Sequence, residues 1–498
     1  MRRIHGLVLV LILLVAGGIR LRLASMPLER DEGEYAYMAQ RMLQGTPPYA
    51  EAYAMKFPGI YAAYAAILSL FGQTDTAIHM GLILVNAATI ALIFLLGLGI
   101  SSGEAGLWAA ATYAVTSLGP SLLGITANAE HFIILPALTG FLFLFQSSEW
   151  KRLFIGGICF GLATSMKQQG LFFAIFGLIW VIYQAFPKNS AKATLSMAGV
   201  YGVGVTVPLL ALGLWIWMAG TFSQFQFWCF EYARYYGNMW TLKDGLQHLT
   251  ATFRPVLGDH APIFLAALAG WIVLWRKNRT LFALTTGLTL TGFLATMPGL
   301  IFRPHYFLLI MPGLAISAAF GFVALGRWMP VGILALLFPL GIQHSILFLK
   351  DPESVCREIY PRNAFVETRE VGQWLRTVTT QEERIAVLGS EPQINFYAGR
   401  RSGTPYLYMY PLLEPQPFAA GMQRHMMDIL ETSPSPYLVH VRVPTSWLVY
   451  PNSDMELFQW LPLFLEKHYV KERSIRIPDS SGKGGRREIV IYHRKNDV

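Results

Sequence analysis

The sequence predicts an α-helical polytopic membrane protein with a C-terminal soluble α/β domain. Of its 498 residues, 54% are hydrophobic and only 14% are charged, against roughly 25% charged residues in a soluble domain. The apolar residues also form long blocks without Asp, Glu, Lys or Arg, such as 78–100 and 193–220. Each of these blocks is long enough to cross the ~30 Å hydrocarbon layer as a helix.

Apolar blocks bounded by charge, Gly or Pro predict about eleven transmembrane helices. They lie near residues 6–24, 77–100, 106–125, 131–146, 153–166, 170–186, 195–219, 260–275, 280–300, 305–326 and 330–348. The block 60–71 has only about twelve residues, too few to cross alone, and is expected to lie at the membrane interface.

Basic residues predict the orientation of the chain in the inner (plasma) membrane. Met1-Arg2-Arg3 precedes the first span without a small-residue cleavage site before Arg20, which favours an uncleaved anchor and a cytoplasmic N-terminus. Threading the spans from that start puts the clusters at 151–152, 188–192 and 276–279 in short cytoplasmic loops, as the positive-inside rule expects. Four arginines at or after the outer end of the first span argue against this orientation: Arg20, Arg22, Arg30 and Arg41.

The net charge of +9 does not predict nucleic-acid binding. Many Lys and Arg residues flank apolar blocks, where anionic lipid headgroups are the commoner partner. We therefore expect membrane lipids, and no nucleic acid, as partners of these residues.

The chain is expected to divide into a transmembrane domain, 1–348, and an extracytoplasmic soluble domain, 349–498. The transmembrane domain includes a catalytic extracytoplasmic first loop, 25–76. In the soluble domain the pattern predicts a helix at 365–378 and strands at 384–388 and 437–441. A flexible turn is predicted at 480–487.

The three cysteines indicate neither a zinc site nor a disulfide framework. Cys159 lies in an apolar block, and Cys229 and Cys356 show no C-x-x-C spacing. A single bridge between Cys229 and Cys356 is left open. No metal ligands are predicted, and dependence on a divalent metal is also left open.

The segment 30–35, Arg-Asp-Glu-Gly-Glu-Tyr, places three carboxylates directly after the first span. Ionisable groups beside a membrane are expensive unless they are solvated or used, which favours a functional role. The alternative is a helix capping box, in which Asp31 accepts backbone N–H bonds and Glu34 follows three residues later. Both interpretations stay open on this segment alone, and one residue can fulfil both.

Further ionisable residues come out on the same face when the spans are threaded. Individually, Glu130 could be a solvated helix cap, and each cation could extend toward lipid headgroups. Their joint placement on one face favours a site. The residues concerned are Lys56, Glu130, Lys167, Arg303 and His305.

Carboxylates and cations at one interface suit a reaction in which a phosphate departs. A carboxylate can orient and deprotonate an acceptor, while fixed cations in a poorly hydrated cleft neutralise the leaving phosphate. A leaving group on a polyprenyl chain could enter such a site sideways from the bilayer.

Taken in order, these motifs resemble the polytopic GT-C glycosyltransferases, in particular the protein O-mannosyltransferase and lipid A aminoarabinose transferase group. The motifs are Asp31-Glu32-x-x-Tyr35, Lys56-Phe57-Pro58-Gly59, Asn128-Ala129-Glu130, Lys167-Gln168 and Arg303-x-His305-Tyr306. The resemblance covers the membrane part and extends into the tail at Gly389-Ser390-Glu391-Pro392, Phe396-Tyr397 and Arg400-Arg401.

The resemblance implies roles for individual residues. Asp31 would be the principal catalytic acid of the first outer loop, and Glu130 the second. The donor phosphate would be surrounded by Lys56, Lys167, Arg303, His305 and Tyr306. Supporting positions would be Glu32, Glu34, Tyr35, Asn128, His131 and Gln168. The chain departs from the family at Phe57, where Pro is common, and at Glu130, where Asp is common; neither change removes a charge.

The expected function is that of an inverting glycosyltransferase. It would move a sugar from a polyprenyl-phosphate donor, undecaprenyl-linked in a bacterial host, to an extracytoplasmic lipid, glycan or protein. The chain has no Gly-rich nucleotide-binding loop, which fits a lipid-linked donor. The alternative is a membrane transporter or lipid flippase, for which charges near the bilayer midplane and paired inverted halves are typical. The sequence shows neither.

Overall fold

The computed structural model describes residues 2–145, 149–478 and 487–495. Residues 480–486 of the predicted turn lie outside this part of the chain. The described residues form a helical N-terminal part and a smaller C-terminal part built around a sheet.

The N-terminal part consists of helices joined by short connections. The first eight are α1 (Arg2–Arg22), α2 (Arg30–Leu43), α3 (Gly59–Phe71), α4 (Asp75–Ile100), α5 (Gly103–Thr116), α6 (Ala129–Leu144), α7 (Trp150–Met166) and α8 (Gly170–Ala185). The next seven are α9 (Ala191–Met218), α10 (Phe222–Gln226), α11 (Ala233–Gly237), α12 (Leu242–Lys277), α13 (Arg279–Thr296), α14 (Met311–Ala324) and α15 (Met329–Ile342).

Five helical segments in the described residues are long and apolar enough, by length and composition, to cross a membrane. They are Arg3–Arg22, Asp75–Ile100, Ala191–Met218, Leu242–Lys277 and Pro304–Ala324. The predicted number of about eleven is therefore not confirmed. Helices such as α5, with 14 residues, reach only about 21 Å at 1.5 Å per residue. The predicted span 106–125 is cut short because Pro120 begins a separate 3₁₀ turn.

The predicted interfacial helix at 60–71 is present as α3, which begins at Gly59. One face of α3 packs inside the protein through the buried Tyr61 and Tyr64. The predicted span 260–275 is the second half of α12, which bends at His260 (φ −117°, ψ 15°) two residues before Pro262. A proline inside a helix removes a backbone hydrogen bond, which accounts for the bend.

The C-terminal part is an α/β structure, as predicted. Its helices are α16 (Pro352–Ile359), α17 (Phe365–Val378), α18 (Gln393–Ala398), α19 (Tyr410–Leu413), α20 (Ala419–Thr432) and α21 (Glu456–His468). Its strands are β1 (Arg384–Leu388), β2 (Arg401–Ser402), β3 (Tyr437–Arg442), β4 (Tyr469–Arg476) and β5 (Glu488–Arg494). The predicted helix at 365–378 and strand at 384–388 are confirmed with the same bounds, and the strand at 437–441 is one residue longer.

The sheet has the order β2-β1-β3-β5-β4. Strand β1 pairs in parallel with β2 and β3, whereas β5 is antiparallel to both β3 and β4. Parallel neighbours require a crossover, which α18 and α20 provide. The sheet buries Ile385, Val439 and Ile491 in its core.

The C-terminal part packs directly on the first loop of the N-terminal part. Tyr35 and Tyr61 share one apolar cluster with Phe396 and Leu407. Ion pairs reinforce the contact: Arg30 lies 2.5 Å from Glu391, Arg369 lies 3.1 Å from Asp75, and Arg384 lies 3.0 Å from Glu51. The two parts therefore form one continuous packing unit around the residues that the sequence singled out.

Candidate active site

Helix α2 carries the acidic segment, and its N-cap is Glu29 rather than Asp31. The Glu29 side chain accepts a hydrogen bond from the Glu32 backbone, and the Glu32 side chain accepts one from the Glu29 backbone. Of the two interpretations left open for this segment, the capping box at Asp31 and Glu34 is therefore not found, because the box lies two residues earlier. Because Glu29 accepts a hydrogen bond from the backbone at the start of α2, the carboxylates of Asp31 and Glu34 are free to make other contacts.

Asp31 lies in the first turn of α2 and contacts residues from three distant segments. Its Oδ1 accepts hydrogen bonds from Lys56 Nζ at 2.9 Å and from the Tyr408 hydroxyl at 3.0 Å. Its Oδ2 lies 3.8 Å from His305 Nε2. Burial alone would raise the pKa of Asp31, but the positive charge of Lys56, aided by His305, outweighs burial and holds it below its usual range. The side chain is 23% exposed, so an ionised carboxylate faces the cavity described below.

Lys56 lies between two carboxylates. Its Nζ donates to Asp31 and, at 2.7 Å, to Glu34 Oε2, and it lies 5.0 Å from the centre of the Tyr35 ring. Burial would lower the pKa of Lys56, but the two carboxylates raise it above its usual value. The ammonium group therefore stays charged and fixes the position of Asp31.

The turn that carries Lys56 is held by close backbone packing. A Cβ atom on Gly59 would lie only 2.4 Å from the backbone oxygen of Ser165, so a larger residue would displace the turn. The Gln168 amide donates to the Met55 carbonyl at 2.7 Å, and the Tyr49 hydroxyl donates to the Lys56 carbonyl at 2.6 Å. Gly59 and Gln168 therefore support Lys56.

Lys167 forms the second acid–base pair of the site. Its Nζ donates to Glu130 Oε1 at 2.7 Å and lies 4.3 Å from the centre of the Tyr306 ring. Glu130 is fully buried, so it is not a solvated helix cap. Lys167 lines the cavity, whereas Glu130 lies behind it.

Arg303 differs from the other cations of the site. Within the described residues its guanidinium has no hydrogen bond or ion pair, although its side chain is exposed to the cavity. It precedes Pro304, which begins the 3₁₀ segment Pro304–Ile310 ahead of α14. That segment also brings His305 and Tyr306 to the cavity.

Four of the predicted supporting residues face the protein interior. Glu32 accepts from the Ala127 backbone at 2.5 Å and lies 3.1 Å from His79 Nε2. Asn128 donates to Thr126 at 2.7 Å, and His131 Nε2 lies 3.1 Å from the Gly124 carbonyl. Tyr35 is buried behind Lys56. None of these four lines the cavity in the described part of the chain.

The cavity has a volume of about 610 Å³ and is walled by both parts of the protein. The first loop supplies Asp31 and Lys56, and the segments after α7 and α13 supply Lys167 and Arg303. The sequence analysis missed a further group of lining residues: Trp228, Tyr232, Tyr236, Tyr408, Tyr410 and Glu414. The alternating tyrosines at 406, 408 and 410 were the one signal for them, because clustered aromatic residues are common in ligand pockets.

The described residues contain no group of three His, Cys, Asp or Glu side chains placed to hold a metal ion. Cys159, Cys229 and Cys356 are all free and buried. The bridge between Cys229 and Cys356 that the sequence left open is therefore not formed.

The fold is the architecture that the sequence motifs predicted, and it is shared with the two solved structures described below. The family model described as dolichyl-phosphate-mannose-protein mannosyltransferase matches residues 56–217. No curated protein sequence matches the chain.

Solved structures with the same architecture cover nearly the whole chain. ArnT from Cupriavidus metallidurans, bound to undecaprenyl phosphate, aligns with a TM-score of 0.61 and 14% identity over 98% of this chain and 97% of its own. The Archaeoglobus fulgidus oligosaccharyltransferase, tethered with an acceptor peptide, aligns with a TM-score of 0.50 and 12% identity over 98% of this chain and 74% of its own. At these identities the likeness concerns the fold.

Proposed function

We propose that the chain is an inverting glycosyltransferase that moves a sugar from a polyprenyl-phosphate donor, undecaprenyl phosphate in a bacterial host, to an acceptor outside the cytoplasm. The observation that carries the proposal is the ionised carboxylate of Asp31, held 2.9 Å from Lys56 at the wall of a cavity that also contains Arg303 and Lys167. A base and several phosphate-binding cations in one cavity are what such a transfer requires.

The donor phosphate is assigned to Arg303 first, because Lys56 and Lys167 already have carboxylate partners. A guanidinium can donate two parallel hydrogen bonds to phosphate oxygens. Lys56, Lys167, His305 and Tyr306 surround the same space. Lys56 and Lys167 add positive potential, which counts for more in a cavity shielded from water.

In the proposed reaction, the acceptor hydroxyl gives its proton to Asp31 while its oxygen attacks the anomeric carbon of the sugar. The bond between that carbon and the phosphate oxygen breaks, and its electron pair stays on the phosphate. The configuration at the anomeric carbon is inverted, because attack comes from the face opposite the leaving group. The products are the glycosylated acceptor and polyprenyl phosphate.

Glu130 is assigned a positioning role in this scheme. It lies behind Lys167 and compensates the charge of that ammonium group at 2.7 Å. A buried ammonium group without a partner would lose its proton or destabilise the fold. Glu130 therefore fixes the position of the Lys167 ammonium group at the wall of the cavity.

Transfer of labelled sugar in vesicles reconstituted with the full chain tests the proposal. The donor is undecaprenyl phosphate carrying the labelled sugar, and the acceptor is a membrane extract of the host. Asp31→Asn should lose transfer by at least about a thousandfold, because the base is removed. Asp428→Asn, at an exposed position of α20, is the matched control and should retain full activity. Full activity in Asp31→Asn would refute the assignment.

The proposed reaction requires the first loop and the C-terminal part to lie outside the cytoplasm, with the N-terminus inside. An alkaline phosphatase fused after the last residue would then be active, because this reporter needs an oxidising compartment to form its disulfides. The same reporter fused between α8 and α9, near Lys188, should be inactive. Activity of the second fusion alone would reverse the orientation.

A further inference from the structure

A second polar cluster lines the cavity apart from Asp31 and the phosphate-binding cations. Glu414 follows α19 of the C-terminal part and is 4% exposed. The Tyr232 hydroxyl donates a hydrogen bond to Glu414 Oε2. The other carboxyl oxygen, Oε1, has no hydrogen-bond partner in the described part of the chain, and neither has the Tyr236 hydroxyl nearby. All three residues line the cavity.

This cluster lines the same cavity as Arg303, to which the donor phosphate is assigned. Arg303 interacts electrostatically with Asp31 and with Glu414, and Tyr236 interacts with all three of these charges. A group attached to a phosphate at Arg303 would therefore share the cavity with both carboxylates. In a lipid-phosphate donor, that group is the sugar.

Glu414 has chemistry that suits a sugar better than a phosphate. A carboxylate repels a phosphate, but it accepts hydrogen bonds from sugar hydroxyl groups, and a tyrosine hydroxyl can both donate and accept. Burial raises the pKa of Glu414 to about 7. The hydrogen bond from Tyr232 and the charge of Arg303 lower this pKa, but burial outweighs them. Proteins select among related ligands with a small number of polar groups that converge in a cavity lined by aromatic side chains.

We propose that Glu414, Tyr232 and Tyr236 form the subsite that binds the hydroxyl groups of the donor sugar, and that this subsite selects a sugar without an acidic group. The inference rests on the proposed function, since it places a donor phosphate at Arg303. Glu414 repels an acidic sugar when it is ionised, whereas a neutral sugar finds a free acceptor at Oε1.

Binding of three lipids to the full-length reconstituted protein at pH 8 tests the subsite. The lipids are undecaprenyl phosphate, the same lipid carrying a neutral hexose, and the same lipid carrying a hexuronic acid. The wild type should bind the hexose lipid about tenfold more tightly than the hexuronic acid lipid. In Glu414→Gln the ratio of the affinities for the hexose lipid and the hexuronic acid lipid should fall to about one. Its affinity for undecaprenyl phosphate should stay within about twofold of the wild type. Glu466→Gln, on an exposed surface of α21, should behave as the wild type.

Tyr236→Phe is the second variant, because it removes only a hydroxyl that no described residue hydrogen-bonds. It should weaken binding of the hexose lipid about threefold and leave undecaprenyl phosphate unaffected. The subsite is overturned if the wild type does not discriminate between the two sugar lipids, if Glu414→Gln keeps the wild-type ratio, or if Tyr236→Phe binds the hexose lipid as tightly as the wild type. Failure of the wild type to bind any of the three lipids would instead refute the proposed donor class.

Discussion

The hydroxyl of Tyr408 donates a hydrogen bond to Asp31 Oδ1 at 3.0 Å, across 377 positions of the sequence. The carboxylate belongs to the first loop and the phenol to the C-terminal part. The ring of Tyr408 also lies 5.3 Å from Lys56 Nζ. The C-terminal part therefore completes the surroundings of the proposed base, rather than forming a separate module.

Removing this hydroxyl should slow the reaction without weakening donor binding. In Tyr408→Phe, Asp31 loses one of its hydrogen bonds and is less well oriented toward the acceptor, so kcat should fall about tenfold. The donor KM should stay within about twofold, since the Tyr408 hydroxyl hydrogen-bonds Asp31 and not Arg303, to which the donor phosphate is assigned. Steady-state kinetics in reconstituted vesicles measures both quantities.

The matched control for that variant is Tyr469→Phe. The Tyr469 hydroxyl donates to the Ser435 carbonyl at 2.8 Å in the same C-terminal part but outside the cavity. It should keep the wild-type kcat. Equal losses in the two variants would mean that the effect of Tyr408 is a general loss of stability.

The ion pair between Arg30 and Glu391 should hold the two parts of the protein together. Glu391 is fully buried and lies 2.5 Å from Arg30. Glu391→Ala leaves the largely buried guanidinium without its partner, which costs about 3–5 kcal/mol. The apparent Tm in detergent should fall clearly. Glu456→Ala breaks the exposed pair with Arg424, which is worth at most about 1 kcal/mol; a similar Tm for both variants would contradict the prediction.

The pair of Lys167 and Glu130 allows stability and activity to be separated. Glu130→Ala should be strongly destabilising, by about 3–5 kcal/mol, because the Lys167 ammonium is then buried without compensation. The double variant Glu130→Leu with Lys167→Met should regain most of the lost Tm, since neither charge remains. It should still lack transfer activity, because the cavity has lost a phosphate-facing cation. Recovery of activity in the double variant would remove Lys167 from the site.

Lys56 should control the acid limb of the pH profile. Burial favours the neutral form of Asp31, and the charge of Lys56 reverses this and lowers its pKa. In Lys56→Met the pKa of Asp31 should rise, so the base is protonated at higher pH and an acid limb of kcat/KM should appear at a pH where the wild type shows none. Lys471→Met, at an exposed position of β4, is the control. A pH profile of Lys56→Met identical to that of the wild type would show that another group is the base.

Discrimination by the proposed sugar subsite should depend on pH near neutrality. The pKa of Glu414 is about 7, so the group is mostly ionised at pH 8 and mostly protonated at pH 6. Preference for the hexose lipid over the hexuronic acid lipid should therefore weaken as the pH falls, because the repulsion is lost. Glu414→Gln should show no such dependence. A preference that is independent of pH in the wild type would contradict the role of Glu414. The other charged or titratable groups that face Glu414 are Arg303, Tyr232, Tyr236 and Tyr450.

The sequence could predict which ionisable residues come near each other, but not what each one contacts. Placement of Asp31, Lys56, Lys167 and Arg303 on one face follows from the order of apolar blocks and charged loops. Their convergence on one cavity is found in the structure. The sequence left the role of Asp31 open because Glu29 and Asp31 are both suitable caps, and only the tertiary contacts show that Glu29 is the cap.

The class of protein, the helix at 365–378 and the strand at 384–388 were readable from the sequence alone, because composition and periodicity act over a few neighbouring residues. Only the tertiary structure decided that the long apolar helices number five in the described residues, and that Tyr408 and Glu414 face the cavity with Asp31. Those contacts join residues hundreds of positions apart. They depend on how complete helices and the sheet pack against one another, which no local pattern encodes.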